Sequence, residues 1–337
     1  MLTIDGSAGE GGGQILRTAL ALSMITGVPF RIDKIRAGRN KPGLLRQHLT
    51  CVQAAERISS AKTTGVHLGS TQLAFDPGPI RAGSYNFAIG TAGSTTLVFQ
   101  TIFPALLHAD GPSRVTLCGG THNPSAPTFD YLERAFRPQL AKMGARLDLQ
   151  LERRGYFPAG AGQWHATVYP EPKLAPLTID DTGPLVARRI IADVANLPFE
   201  VAEREVATSV RLMSWPPEVA LARTVEAEGH GNALQIELQY ANVTEIATSI
   251  GARNISAEKV AESAVADIRD YLAAHAPVGL HLADQLLLPM ALAGGGAFIT
   301  GRPTSHTITN IAVIEKFLPV EFVIEQSAPT AWRIQVS

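Results

Sequence analysis

The sequence predicts an α/β (α+β) protein built from repeated units. Apolar segments with helical periodicity alternate with short strand-like runs, and loops rich in glycine and proline separate them. The pattern also recurs along the chain. When Ala8 and Gly9 are aligned with Ala92 and Gly93, an offset of 84 residues, Gly38 falls close to Gly120. Repeats of this length are supersecondary units, so we expect sheets packed against helices.

The first two copies follow the same order of elements. A turn of small residues opens an apolar helix, and then come a strand, a loop rich in glycine and proline, a second helix and further strands. The predicted first helices lie at 14–25 and 94–107, the strands at 29–35 and 113–117, and the second helices at 44–58 and 127–143.

A third copy fits from Asp284 onward, but an insertion must precede it. Its loop glycine, Gly301, lies 181 residues after Gly120, far more than the repeat offset of 84 residues. We place a small α/β domain at 182–276, which leaves 1–181 and 277–337 as the large domain. The predicted elements of the insertion are strands at 186–194 and 233–240 and helices at 203–213 and 257–273. The predicted elements of the third copy are a strand at 297–300, a loop at 301–305 and a helix at 309–317.

Composition narrows the class of protein. With 337 residues and 45% hydrophobic content the chain can bury a full core. The apolar run 286–299 is too short to span a bilayer, and Pro289 breaks it. The start of the chain lacks the basic region of a signal peptide, and Cys51 and Cys118 cannot form a disulfide framework. We therefore expect a cytoplasmic protein with no membrane segment.

Charge is distributed unevenly. The formal net charge of −1 argues against a protein that coats nucleic acid electrostatically. Residues 1–60, however, contain eight Lys or Arg and four Asp or Glu, a local excess of four positive charges. Such a local excess suits the capture of a single phosphorylated end rather than a long duplex.

His306 is the candidate nucleophile. Most of the nine histidines should be structural or exposed, but His306 follows small polar residues on a loop that a glycine opens. The loop precedes the helix predicted from Thr309, and backbone N–H groups at a helix N-terminus favour phosphate. A neutral imidazole can attack phosphorus and split one difficult transfer into two easier ones.

The segment from Gly9 to Gly13 matches neither a P-loop nor a dinucleotide fingerprint, so a tight turn at a helix start is the favoured interpretation. Glu10 within it is a candidate for holding a divalent metal or positioning a nucleotide. Arg17, Arg36 and Arg39 can bind phosphate oxygens bidentately, and the alternative is a solvated basic face. Arg17 interrupts an otherwise apolar helix, which indicates a partner.

Several polar residues occur at the starts or within the apolar parts of predicted helices. Gln47 and His48 begin the apolar side of one helix and can reach the same cleft as the arginines. Gln100 lies inside an apolar helix, so its amide must find a partner or face a cavity. Asp284 and Gln285 begin another helix, where capping alone would explain Asp284.

Seven segments together resemble the RNA 3′-terminal phosphate cyclase family, in the family's order and over nearly the whole chain. Two positions differ from the family pattern: His122 stands where Asp or Asn is expected, and His281 where an aromatic residue is frequent. The segments are 9–17, 36–49, 90–94, 119–124, 156–160, 281–294 and 301–311.

The resemblance implies a large domain of three βαβαββ units similar to the C-terminal domain of translation initiation factor 3, with a small α/β domain inserted before the third unit. It also implies ATP-dependent conversion of an RNA 3′-terminal phosphate to a 2′,3′-cyclic phosphate, through a covalent His306–AMP intermediate and an RNA adenylate. The cofactors would be ATP and a divalent metal, Mg²⁺ or Mn²⁺, and the partner an RNA with a 3′-terminal phosphate; a homodimer is possible.

The resemblance also assigns site residues. The catalytic residue would be His306, with Glu10 at the metal and the nucleotide. ATP would contact Gln100, His281, Leu282, Ala283, Asp284 and Gln285, and the phosphates would contact Arg17, Arg36, Arg39, Gln47 and His48. Two alternatives stay open: a non-catalytic relative that binds RNA in ribosome assembly, and a transferase of phosphorylated metabolites on similar repeats.

Overall fold

The computed structural model describes residues 1–337, and its first repeat joins a parallel strand pair to an antiparallel hairpin. The strands occur in the order β1-β2-β4-β3, with β1 parallel to β2 and β2 antiparallel to β4. The elements are β1 (Leu2–Asp5), α1 (Gln14–Thr26), β2 (Phe30–Asp33), α2 (Arg46–Ser59), β3 (Lys62–Thr64) and β4 (Leu73–Asp76).

The second repeat has the same sheet order, β5-β6-β8-β7. Its second helix is interrupted, because the chain passes through a π-helical turn at Leu132–Phe136 between two α-helical pieces. The elements are β5 (Ser84–Ala88), α3 (Thr95–Leu106), β6 (Ser113–Gly119), α4 (Phe129–Tyr131), α5 (Arg137–Lys142), β7 (Leu147–Arg153) and β8 (Gly162–Val168).

The inserted unit follows β9 (Leu177–Ile179) and forms a sheet of its own in the order β11-β10-β12-β13. Strands β11 and β13 are short and of mixed polarity, and they were not predicted from the sequence. Its elements are β10 (Leu185–Ala195), α6 (Glu200–Met213), a 3₁₀ turn at Pro217–Val219, β11 (Ala220–Thr224), β12 (Gly231–Tyr240), β13 (Thr244–Ile250) and α7 (Ala257–Ala274).

The third repeat closes around the insertion. Its strand order is β9-β14-β16-β15, which matches the other two repeats, so the insertion lies between the first strand and the first helix of this repeat. The elements after the insertion are α8 (Leu280–Leu292), β14 (Gly296–Thr300), α9 (Ser305–Phe317), β15 (Phe322–Ala328) and β16 (Ala331–Val336). The predicted α/β class is confirmed.

Helix α9 begins four residues before its predicted start at Thr309, so the prediction that His306 lies on a loop is wrong. The side chain of Thr304 accepts a hydrogen bond from the N–H of Thr307, and the Thr307 side chain pairs with the backbone of Thr304 in return. This reciprocal capping starts the helix at Ser305. His306 therefore lies in the first helical turn.

Two separate cores support this arrangement. Side chains from α1, α2, α3, α8 and α9 pack with the three repeat sheets in one large hydrophobic core. In the inserted unit, alternate residues of β10, such as Ile190 and Ala192, pack under α6 and α7 in a second core. Whether residues 182–276 fold alone stays a prediction. No helix in the protein combines the length and the apolar character that crossing a membrane requires.

The opposite face of the inserted sheet docks onto the second repeat through charged side chains. Arg154 lies 2.8 Å from Asp193, and Arg134 lies 2.6 Å from Glu237 and 3.0 Å from Asp130. We call this set the ionic network; its members are Asp130, Arg134, Arg154, Arg189, Asp193, Arg223 and Glu237. His122 adds a 2.7 Å contact to Asp130, so this histidine has a structural partner.

Candidate active site

The imidazole of His306 is held from both sides in the first turn of α9. Its Nδ1 lies 2.9 Å from Oε1 of Gln14, and its Nε2 lies 3.3 Å from a carboxylate oxygen of Glu10. The side chain is 47% exposed. An imidazole that donates Nδ1–H to Gln14 carries its lone pair on Nε2, the nitrogen that faces Glu10.

Glycines bring the loop that carries Glu10 against α9. A Cβ on Gly9, whose φ is +57°, would lie 2.0 Å from Oγ1 of Thr309, so no larger residue fits. The same hydroxyl accepts a hydrogen bond from the N–H of Glu10 at 3.2 Å. A Cβ on Gly12 would lie 2.2 Å from a carboxylate oxygen of Glu10. The loop can therefore fold Glu10 back toward His306.

Two of the predicted phosphate-binding arginines are occupied by partners within the chain. Arg39 forms an ion pair with Glu10. Arg36 donates to the carbonyl oxygens of Lys41 and Gly43 at 2.5 and 3.0 Å, and thus holds its own loop. Burial lowers the pKa of Arg36, and the charge of Arg39 lowers it further.

A cleft of about 1210 Å³ opens beside His306. Its walls come from α1, α3, α8, α9, the segment 123–128, and β13 of the inserted unit. The structure brings several predicted site residues together in this cleft: Arg17, Gln100, His281, Asp284, Gln285 and His306. Two of them pair directly, because Nε2 of Gln100 donates to Oε1 of Gln285 at 2.7 Å.

Arg17 lines the cleft and makes no ion pair within the chain. Burial lowers the pKa of this guanidinium, while Cys51 and Glu10 act in the opposite direction. An unpaired guanidinium at a cleft wall can bind an anionic ligand through two parallel hydrogen bonds. Arg302, an exposed residue that was not predicted from the sequence, also lines the cleft without an ion pair.

Asp284 braces α8 against α9. Its side chain accepts a hydrogen bond from the hydroxyl of Thr307, and its backbone carbonyl accepts one from Nδ2 of Asn310 at 3.1 Å. The amide oxygen of Asn310 in turn accepts from Thr18 at 2.7 Å, which ties both helices to α1. Burial raises the pKa of Asp284, whereas Thr307 and the charge of His306 lower it.

Gln14, Thr307 and Asn310 contact the predicted site residues but were not themselves predicted from the sequence. A usable signal existed for two of them. Gln14 directly follows the glycine-rich loop, and Asn310 lies four residues after His306, a spacing that places both on one helix face once α9 is known to begin at Ser305.

Seven of the predicted site residues do not line the cleft: Glu10, Arg36, Arg39, Gln47, His48, Leu282 and Ala283. Leu282 and Ala283 are 0% and 1% exposed and belong to the large core, because the inner face of α8 packs there. Gln47 instead accepts the N–H of Ser94 at 2.7 Å, at the start of α3. His48 is buried beside Gly13, where burial first and then the charge of Arg17 lower its pKa to about 3, so this imidazole is neutral.

Glu10 supplies a carboxylate beside His306, next to its ion pair with Arg39. No group of three or more His, Cys, Asp or Glu side chains in the chain is arranged to hold a metal ion. Mg²⁺ does not require such a cage, because it commonly binds one or two carboxylates together with substrate phosphates and water. The carboxylate of Glu10, close to His306, offers that kind of donor.

Comparison with known proteins agrees with the resemblance of the motifs. The sequence profile of the family described as RNA 3′-terminal phosphate cyclase matches residues 8–324. A protein of that name from Koribacter versatilis (strain Ellin345) is 51% identical over 327 residues, which are 97% of this chain and 92% of the relative. Another from Ectopseudomonas mendocina (strain ymp) is 50% identical over 336 residues, 99% of this chain and 98% of the relative.

Among solved structures, the enolpyruvyl transferase NikO from Streptomyces tendae aligns with a TM-score of 0.39 and 14% identity. The alignment covers 99% of this chain and 48% of that one, and a similarity this low carries no argument.

The profile match and the two relatives place the protein in a known class of enzymes. The chain belongs to the RNA 3′-terminal phosphate cyclase family, which confirms the resemblance.

Proposed function

We propose that the protein converts the 3′-terminal phosphate of RNA to a 2′,3′-cyclic phosphate at the expense of ATP, with His306 as the nucleophile. The observation that carries the proposal is the setting of His306, whose Nδ1 faces Gln14 and whose Nε2 faces Glu10 in the first turn of a helix beside the cleft. Family membership supports the same reaction.

In the first step, Nε2 of His306 bonds to the α-phosphorus of ATP, and the bond to the leaving pyrophosphate breaks. The imidazole gains positive charge as this bond forms, and the carboxylate of Glu10, 3.3 Å away, stabilises that charge. Gln14 keeps the proton on Nδ1 and so holds the ring in the reactive tautomer. Arg17 offers an unpaired guanidinium to the phosphates.

The second and third steps transfer and then release AMP. An oxygen of the RNA 3′-phosphate attacks the phosphorus of the His306 adduct, which frees the imidazole and yields an RNA adenylate. The adjacent 2′-OH then attacks the activated 3′-phosphorus, loses its proton, and expels AMP. A divalent metal held by Glu10 and the phosphates would supply charge neutralisation in the nucleotide transfer.

Self-labelling with α-labelled ATP tests the proposal. Without RNA, the protein should take up one AMP and release pyrophosphate. A histidine phosphoramidate is labile in acid and survives alkali, whereas a serine or threonine phosphodiester withstands acid. His306→Ala should accept no label, and the neighbouring Ser305→Ala, a matched control, should still be labelled. An acid-stable adduct, or one that maps to a peptide without His306, would refute this mechanism even if the protein cyclises RNA.

The same experiment separates the two alternatives. A non-catalytic RNA-binding relative takes up no AMP, and a transferase of phosphorylated metabolites acts without forming a nucleotidyl adduct. Cyclisation of a 3′-phosphorylated oligonucleotide by the labelled protein, in the absence of added ATP, then shows that the adduct is an intermediate.

A further inference from the structure

A buried carboxylate of the inserted unit touches the start of the active-site helix α8. Glu245 lies on β13, is 6% exposed, and lines the inner end of the cleft. Gly279, the residue immediately before α8, has no side chain to cap the helix, and a Cβ at this position would lie 2.3 Å from Oε2 of Glu245. Gly279 thus leaves room for a carboxylate that comes from another part of the fold.

The carboxylate lies where α8 needs an acceptor. The first N–H groups of a helix have no partner within the helix, and the helix dipole adds partial positive charge there. No side chain of the adjoining residues caps α8. Burial raises the pKa of Glu245 to about 7, and the N–H of Gly279 opposes this rise. No Lys or Arg forms an ion pair with Glu245 and its Oε2 has no hydrogen-bond partner, so the N–H of Gly279 is the one group that offsets the cost of burying this carboxylate.

The segment that leads into α8 is otherwise held at two points. The hydroxyl of Tyr271 donates to the carbonyl of Pro277 at 3.1 Å, and the N–H of Val278 donates to Ile299 of β14 at 3.0 Å. Neither contact reaches the first turn of α8. His281 lies in that turn, and Asp284 and Gln285, which also line the cleft, follow it directly in the second turn.

We propose that Glu245 is a positioning residue, through which the inserted unit sets the orientation of α8 and thereby the affinity of the cleft for the nucleotide. This inference rests on the proposed function, because it takes ATP as the ligand of the cleft. The carboxylate acts through the helix and takes no part in bond formation at His306. Its loss should therefore weaken ATP binding and leave the chemical step nearly unchanged.

The test is the dependence of self-labelling on ATP concentration at pH 8, where the carboxylate is ionised. Glu245→Gln keeps the size of the side chain and removes its charge, and should raise the half-saturating ATP concentration by about fivefold, a size of effect that charges at helix N-termini can have. The labelling rate at saturating ATP should stay within about twofold of wild type, because His306 is untouched. Glu245→Asp restores the charge with a shorter reach and should give an intermediate value.

A second variant distinguishes a positioning role of Glu245 from direct contact of its carboxylate with the nucleotide. It also keeps the proposal testable if Glu245→Gln folds poorly. Gly279→Ala keeps Glu245, but its new Cβ displaces the carboxylate from the helix start, so it should raise the half-saturating concentration to a similar extent. The double variant should be no worse than either single one. Glu218→Gln, an exposed glutamate of the same unit, is the matched control and should behave as wild type.

The outcomes are distinguishable. An unchanged half-saturating concentration in Glu245→Gln, or a normal value in Gly279→Ala beside a raised one in Glu245→Gln, overturns the positioning role. A fall in the saturating rate without a change in ATP affinity overturns it as well. A wild-type protein that takes up no label instead overturns the proposed function itself.

Discussion

The cleft and the ionic network both gather arginines, but they differ in whether those arginines have acidic partners. In the network, Arg134 and Arg154 each lie within 3.0 Å of a buried or nearly buried carboxylate. In the cleft, Arg17 and Arg302 have none. A guanidinium away from bulk water is costly without a partner, so the ion pairs of Arg134 and Arg154 hold the fold together. Arg17 is partly buried without such a pair and Arg302 is exposed to solvent, which leaves both guanidiniums available to an anion.

Asp130 shows how strongly the network favours its charged state. Burial by itself raises the pKa of this carboxyl, but the hydrogen bond from His122 and the charges of Arg154 and Arg134 outweigh burial and bring it well below its usual range. In the cleft the balance is opposite, since burial dominates and the pKa of Asp284 is raised. Charge pairs therefore outweigh burial at Asp130 in the network, whereas burial outweighs them at Asp284 in the cleft.

The largest expected effect is on stability, from breaking the network. Asp193 is 1% exposed, lies 2.8 Å from Arg154 and also pairs with Arg223. Asp193→Ala leaves two guanidiniums without this partner, so the free energy of unfolding should fall by about 3 to 5 kcal/mol. Urea unfolding measures the change. Asp76→Ala, at an exposed aspartate, is the control and should stay within about 0.5 kcal/mol of wild type. A loss as small as the control's would mean that the network is not what docks the inserted sheet.

The next effect is on catalysis rather than stability. Arg17→Ala should slow turnover of a 3′-phosphorylated oligonucleotide by roughly tenfold or more, since a charge-assisted contact is worth about 1.5 to 3 kcal/mol. Arg39→Ala should slow turnover to a similar extent for a different reason, because Arg39 pairs with Glu10 beside His306. Arg17 makes no ion pair, so its removal should leave the unfolding free energy unchanged or slightly raised. Wild-type turnover in Arg17→Ala, or an Arg17→Ala variant as unstable as Asp193→Ala, would contradict the distinction between the two regions.

Much of the fold could be read from the sequence because the repeats keep their periodicity. The helices of the first two repeats, the strand that ends at Thr300, and the α/β character follow from apolar spacing and glycine-rich turns. The start of α9 could not be predicted in the same way. It depends on Thr304 and Thr307 capping each other, and a threonine-rich segment is equally compatible with a loop.

The sequence predicted which residues belong to the site better than it predicted which residues contact each other. His306, Arg17 and Gln100 were found because each is polar in an apolar or glycine-rich setting, and they do line the cleft. The ionic network could not be anticipated, since Asp193 and Arg154 meet only when the inserted sheet docks on the second repeat. The sequence did not predict a role for Glu245 for the same reason, because only the fold brings Gly279 next to it.

The smallest effect tests an unpaired charge that lies in neither region. Glu205 on α6 is buried and accepts a hydrogen bond from Asn232 on one oxygen, while its other oxygen has no partner. Burial raises the pKa of Glu205 from 4.5 to about 7, Asn232 lowers it, and Asp193 raises it further. No guanidinium pairs with it, so its ionised form should be a cost to the fold.

The raised pKa of Glu205 determines how the unfolding free energy changes with pH. A carboxyl whose pKa is raised in the folded state binds its proton more tightly there, so its contribution to stability is complete below pH 4.5 and is lost as the pH rises through about 7. Glu205→Gln removes this titration. The unfolding free energy of the variant relative to wild type should therefore increase by about 1 to 2 kcal/mol between pH 6 and pH 8. Glu218→Gln should show no such trend. The difference in unfolding free energy between Glu205→Gln and wild type could instead stay constant or fall as the pH rises. That result would mean that the folded protein stabilises Glu205 as an anion. A buried carboxylate would then not need an arginine partner to be stable in its charged form.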